Sequence, residues 1–106
     1  MACLDISDDD KQSLLSDAGQ IPKDVIEHSF FAWSGGTEQA NLDKISATTL
    51  VVGTDDPFLP QEFLQQAVVG PIEHATFLHI AGAGHYVKQE RLQACSHAIT
   101  TFIESV

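Results

Sequence analysis

The feature that most constrains this chain is the run ATTLVVG at residues 47–53, where β-branched and apolar side chains follow one another without alternation. A strand with one wet face alternates apolar and polar residues, whereas a strand covered on both faces is apolar throughout, as in parallel sheets. A second short strand is predicted at ATFLHI, residues 75–80. Between the two, LPQEFLQQAVVG sets Leu59, Phe63, Leu64 and Ala67 at helical spacing and stops at Gly70-Pro71. Residues 87–106 then predict one closing helix with Leu92, Cys95, Ile99, Phe102 and Ile103 on one side. Strand, helix, strand, helix is the order of a right-handed parallel crossover, so the fold class is α/β. Two parallel strands make a sheet too small to stand alone comfortably.

The preceding residues have a different texture. DISDDDKQSLLSDAG offers Ser and Asp for helix capping and first-turn carboxylates, a small apolar face at Leu14 and Leu15, and Gly19 as a stop. IPKDVIEHSFFAW puts Pro22 near a helix start and Val25, Ile26, Ser29, Phe30 and Trp33 on one stripe. SGGTEQAN, residues 34–41, is a loop. Residues 1–40 are therefore expected to form a helical segment and residues 41–106 the α/β part.

Composition narrows the partners. The 106 residues, 43% hydrophobic, fit one domain or less, and such a chain buries about 60–65% of its unfolded surface. A formal net charge of -10, from 15 Asp+Glu against 5 Lys+Arg, repels phosphate backbones and anionic lipid heads. Neither nucleic acid nor a membrane surface is an expected partner. No basic-then-apolar leader is seen, and no apolar run approaches membrane-spanning length. Cys3 and Cys95 lie at opposite ends without CxxC spacing and read as reduced thiols of a cytoplasmic protein. His28, His74, His79 and His97 show no converging metal-ligand spacing, so neither metal nor cofactor is expected.

The chemistry concentrates after the two strands. His85 follows the second strand and a Gly-Ala-Gly turn, which sets it in the crevice beyond the strands' carboxyl ends, where open α/β sheets bind ligands. It reads either as a general base tuned near neutrality or as a partly exposed loop histidine. GTDDPF, residues 53–58, follows the first strand, about one helix–strand unit earlier. A carboxylate there reaches the same crevice and would fix the imidazole's tautomer; Asp-Asp-Pro after glycine reads equally as a turn and helix cap. An acid and a base at the ends of adjacent parallel strands are a stronger signal together than either alone.

These residues carry a resemblance. NLDKISATTLVVGTDDPFLP followed by GPIEHATFLHIAGAGHYVKQE is similar to the C-terminal part of the α/β-hydrolases. In that family a strand ending in G-x-x-D-P carries the acid. The next strand ends in G-x-G-H with the catalytic histidine, followed by an aromatic and then a glutamate. The resemblance assigns the acid to Asp56, leaving Asp55 as a solvated neighbour, and the base to His85, with Tyr86 and Glu90 also matching. Thr48 stands where proline is common. The upstream helices resemble the end of the helical cap that lies over the active site in many members. On that likeness the fold is a partial α/β-hydrolase fold with cap-like helices, and Trp33, Phe30, Phe58 and Tyr86 are candidates to line a substrate pocket. Trp33 and Phe30 read equally as residues that pack their helix onto the sheet.

What is missing matters as much. The family order is nucleophile, acid, histidine, with the nucleophile on a G-x-S-x-G elbow, and no such motif occurs here. Ser34 in WSGG lacks both the preceding glycine and a strand before it. The resemblance thus implies a truncated hydrolase, acting on an ester or related small organic substrate only when complemented by an N-terminal fragment, and inactive alone. The rival reading is a small non-catalytic module. The acid strand lacks its second neighbour, so an exposed edge predicts a homo-oligomer.

Overall fold

The computed structural model describes residues 3–36 and 41–106, so half of the loop expected over 34–41 lies outside the described residues, and Ser34 closes a helix instead. The chain divides into two compact units, Ser7–Asn41, and Met1–Ile6 together with Leu42–Val106. The first residues thus belong with the strands rather than with the helices that follow them.

The helical unit contains α1 (Asp8–Gly19) and α2 (Lys23–Ser34). Ser7 caps α1: its hydroxyl accepts the Asp10 N–H at 3.1 Å and donates to the Asp10 carboxylate at 2.8 Å. Asp8, Asp9 and Asp10 place negative charge on the positive end of the helix dipole. Pro22, with φ -57°, precedes α2, and the Gly35 N–H closes its last turn onto Phe31 O at 3.1 Å. No residue of either helix is buried.

The second unit begins with a 3₁₀ turn at Leu42–Lys44 and continues into β1 (Thr49–Thr54) and β2 (Ala75–Ile80). The strands pair in parallel, with Thr49 opposite Ala75 and Thr54 opposite Ile80. This is the α/β arrangement expected: two helices, then two short parallel strands with flanking helices. The connection is α3 (Gln61–Leu64), which widens into a π-helical turn over Gln65–Val69 before Gly70. The strand pair is close to this connection at Gly53, where a Cβ would stand 2.5 Å from Phe77 Cζ and 3.2 Å from Leu64 Cδ1. Only a glycine leaves that space for the Phe77 ring.

The closing helix is not continuous. α4 (Val87–Glu90) and α5 (Leu92–Ser105) are separated at Arg91, whose φ of -139° and ψ of 56° leave helical geometry. The Arg91 guanidinium folds back onto the Glu90 carbonyl at 2.8 Å and onto the Asp5 carboxylate at 2.7 Å. α5 lies along one side of the strands, leaving a groove of about 700 Å³ between β2 and residues such as Ala94, Ala98 and Phe102.

Among the described residues the buried apolar side chains are Ile72, Ile80 and Ala83. Ala83, with 0% exposure, sits inside the turn that carries His85. Packing is thus densest where the strands end. Cys3 and Cys95 form no disulfide. Among the described residues, no helix is long and apolar enough to cross a membrane.

Candidate active site

The site grows from the loops that follow the two strands. β1 delivers Thr54, then Asp55 and Asp56, before Pro57 forbids a continued ladder. β2 delivers Ile80, then a turn through Gly82, whose φ of +77° suits glycine. Hydrogen bonds hold each loop in shape and join the two. The buried Thr54 hydroxyl donates to Gly84 O at 2.9 Å and accepts the Asp56 N–H at 3.2 Å. The Asp55 N–H donates to Ala83 O at 2.9 Å.

This stitching brings together the two residues predicted from sequence as acid and base. Asp56 Oδ2 lies 2.7 Å from His85 Nδ1, and its Oδ1 accepts the Phe58 N–H at 2.9 Å. Asp56 is only 5% exposed, whereas the His85 side chain is 46% exposed. Burial pushes the Asp56 carboxyl up. The hydrogen bonds from His85 and the Phe58 N–H, with the charge of the imidazole, outweigh it and hold the carboxyl below its ordinary 3.8. A carboxylate in this position accepts from Nδ1–H and leaves Nε2 with the lone pair. Nε2 of His85 is hydrogen-bonded to none of the described residues. The arrangement is an imidazole held at one nitrogen, with the other open.

Two aromatic rings flank it. Phe58 stands edge-on to the imidazole with centroids 6.4 Å apart, and Tyr86 does the same at 5.7 Å. Both were candidates from sequence, and the strand ends gather them around His85. Phe30 and Trp33 lie on α2 in the helical unit, where their rings are 6.1 Å apart. The Ser34 hydroxyl donates to Phe31 O of its own helix at 3.2 Å.

Asp55 is exposed, as a solvated neighbour would be, and it also makes contacts that the sequence did not announce. Its Oδ1 lies 2.8 Å from His79 Nε2 and its Oδ2 accepts the Gly82 N–H at 2.8 Å. The Gly82 N–H, with His79 next, holds this carboxyl below the usual range. The cause is the positive φ at Gly82, which bends the turn back toward the end of β1. Two consecutive aspartates thus hold two different histidines.

Glu90 was legible only as part of a motif, without a task. It is buried, and its carboxylate accepts backbone N–H groups from Asp5 at 2.8 Å, from Gly84 and Tyr86 at 3.1 Å, and from Leu4. Burial pushes its carboxyl up, and these N–H groups, Asp5 and Leu4 foremost, more than reverse that and hold it below 4.5. Among the described residues, no group of three or more His, Cys, Asp or Glu converges as metal ligands would.

No family model matches the chain, and neither a curated protein nor a solved structure gives a significant match. What is established is an α/β arrangement of two parallel strands with Asp56 and His85 in hydrogen-bond contact beyond their carboxyl ends.

Proposed function

We propose that this chain carries the acid–base part of a hydrolytic centre of the α/β-hydrolase type. His85 would take the proton from a nucleophile or an attacking water through Nε2. Asp56 would hold the Nδ1–H tautomer and stabilise the imidazolium that forms. The single observation that carries the reading is the 2.7 Å contact between His85 Nδ1 and the buried Asp56 carboxylate, with Nε2 facing away from it. The sequence motifs around both residues support it.

The nucleophile and the backbone donors for a developing oxyanion would come from residues outside this sequence. Those donors contribute several kcal/mol to acyl transfer, about 2.7–4 for one of them. The substrate class is an ester or a related small organic molecule, and Phe58 and Tyr86 would form the apolar walls beside the reacting carbon. By this reading the 106-residue chain alone has no enzyme-like turnover.

The test is the protonation pattern of His85, read from imidazole ¹⁵N shifts in the wild type and in Asp56→Asn. The expected result is Nδ1–H with a bare Nε2 in the wild type. In Asp56→Asn the pattern inverts, because the amide NH₂ turns Nδ1 into an acceptor. A wild type with the proton on Nε2 would sink the general-base role. Turnover of a p-nitrophenyl ester by the chain alone, abolished by His85→Ala, would sink the claim that the nucleophile lies elsewhere.

A second reading, of a different class, rests on the sheet: among the described residues β1 is paired along one edge only. Unpaired strand edges recruit further strands, and a non-catalytic, self-associating module would use this one. It is favoured if the chain is a stable dimer whose His85 carries no defined tautomer.

A further inference from the structure

Among the described residues three polar or charged side chains are buried, Thr54, Asp56 and Glu90, and the hydrolytic reading leaves Glu90 without a role. A buried carboxylate is costly unless its oxygens are satisfied. Here they are satisfied by a particular set of donors. The Gly84 N–H lies 3.1 Å from both Oε1 and Oε2, and the Tyr86 N–H lies 3.1 Å from Oε2. These are the residues on either side of His85. The remaining donors are the N–H groups of Leu4 and Asp5, more than eighty positions away in the chain. The same remote segment is held again by the neighbouring residue, through Arg91 Nη1 to the Asp5 carboxylate at 2.7 Å.

A histidine that follows two glycines in three positions has a backbone with little intrinsic order. The Asp56 contact fixes one nitrogen of the ring, and the ties from the Asp55 N–H and the Thr54 hydroxyl reach only the Ala83 and Gly84 carbonyls before His85. Glu90 accepts the N–H of the peptide plane after His85, that of Tyr86, and adds a second tie to the Ala83–Gly84 plane. We propose that Glu90 is the positioning residue for His85, and that Leu4 and Asp5 complete it by filling the carboxylate's remaining hydrogen-bonding capacity. This rests on the reading of His85 as a general base. It adds that the base is ordered by an anionic clamp shared between its own loop and the first residues of the chain. The Glu90 carboxyl, held below its ordinary range by these N–H groups, agrees with an ionised clamp at neutral pH.

A merely structural Glu90 would lower the stability of the unit without disturbing the ring in molecules that remain folded. The test uses the full chain with Glu90→Gln, which keeps the side chain's shape and removes its charge. Two signals are read: amide hydrogen exchange at Gly84 and Tyr86, and the His85 Nδ1–H resonance. Charge-assisted hydrogen bonds are stronger than neutral ones. The variant is expected to exchange about tenfold or more faster at both amides and to broaden or lose the Nδ1–H signal. The β1–β2 ladder amides should stay protected. Should Glu90→Gln fail to fold, Leu4→Pro decides, since it deletes one donor N–H and leaves Glu90 in place; several-fold faster exchange at Gly84 and Tyr86 is then expected. A wild type with the Nδ1–H signal that neither variant alters, with exchange at both amides unchanged, overturns the positioning role alone. A wild type without that signal overturns the general-base reading and this proposal with it.

Discussion

Thr54→Val is the sharpest probe of how the site is held. Threonine and valine have nearly the same shape, so the substitution removes a hydroxyl and adds a methyl without opening a cavity. At 7% exposure, the Thr54 hydroxyl joins the Gly84 carbonyl at 2.9 Å to the Asp56 N–H at 3.2 Å. Valine leaves both backbone groups without a partner. A buried orphan costs about 1–3 kcal/mol, with the longer of the two bonds at the weak end. Burying a methyl in place of the hydroxyl returns about 0.8 kcal/mol. The net expectation is a loss of about 2 kcal/mol. Thr54→Ser keeps the hydroxyl and forfeits one methyl, about 0.8–1 kcal/mol. The more polar variant should therefore be the more stable of the two, opposite to what a purely apolar core would give. The chain contains one tyrosine, Tyr86, and one tryptophan, Trp33, and they fall in different units. Urea unfolding followed by tyrosine absorbance thus reports the strand unit, and tryptophan emission the helices. The valine variant should lower the tyrosine midpoint by about 1–2 M at unchanged slope. A valine variant as stable as the wild type, or more stable than the serine variant, would refute the idea that this hydroxyl joins the two loops.

Three further outcomes are expected. Asp56 and Glu90 are both held below their ordinary values of 3.8 and 4.5, so the stability they contribute is complete above those values and is lost as pH falls through the lower folded ones. The tyrosine-monitored midpoint should be level from about pH 7 to 5 and fall below about pH 4; a rise on acidification there would contradict the assignment. Gly53→Ala drives a Cβ to 2.5 Å from Phe77 Cζ and should cost about 1–3 kcal/mol. Phe77→Leu in the same chain should recover part of that loss, a coupling that a double-mutant cycle measures and that additivity would disprove. If the free edge of β1 recruits a second copy, sedimentation will show a dimer that a proline at Val51 dissociates, and a monomer at high concentration rejects it.

The elements that position the site were legible because their signals are local. A continuous apolar run rich in β-branched residues sets β1 and a short, largely apolar segment sets β2, and Asp56 and His85 follow them closely. The rest depends on contacts between residues far apart in the chain. The role of Asp55 appears only once Gly82 adopts a positive φ and turns its N–H back toward β1. That of Glu90 needs Leu4 and Asp5. The interruption at Arg91 carries no glycine or proline to announce it, since the gain lies in the guanidinium's contacts with Glu90 and Asp5. The π-helical turn at Gln65–Val69 is equally silent in the pattern, because Leu64 and Ala67 fit an α-helix as well.

The paired aspartates give this chain an unusual response to losing a single codon. Asp55 and Asp56 are the same letter written twice, yet each answers to its own histidine. A substitution at one spares the other. A deletion does not halve the arrangement in the same way: the surviving aspartate has one frame to occupy, between Thr54 and Pro57, and must abandon either His79 or His85. The repeat that looks redundant on paper therefore tolerates a change of letter better than a change of length.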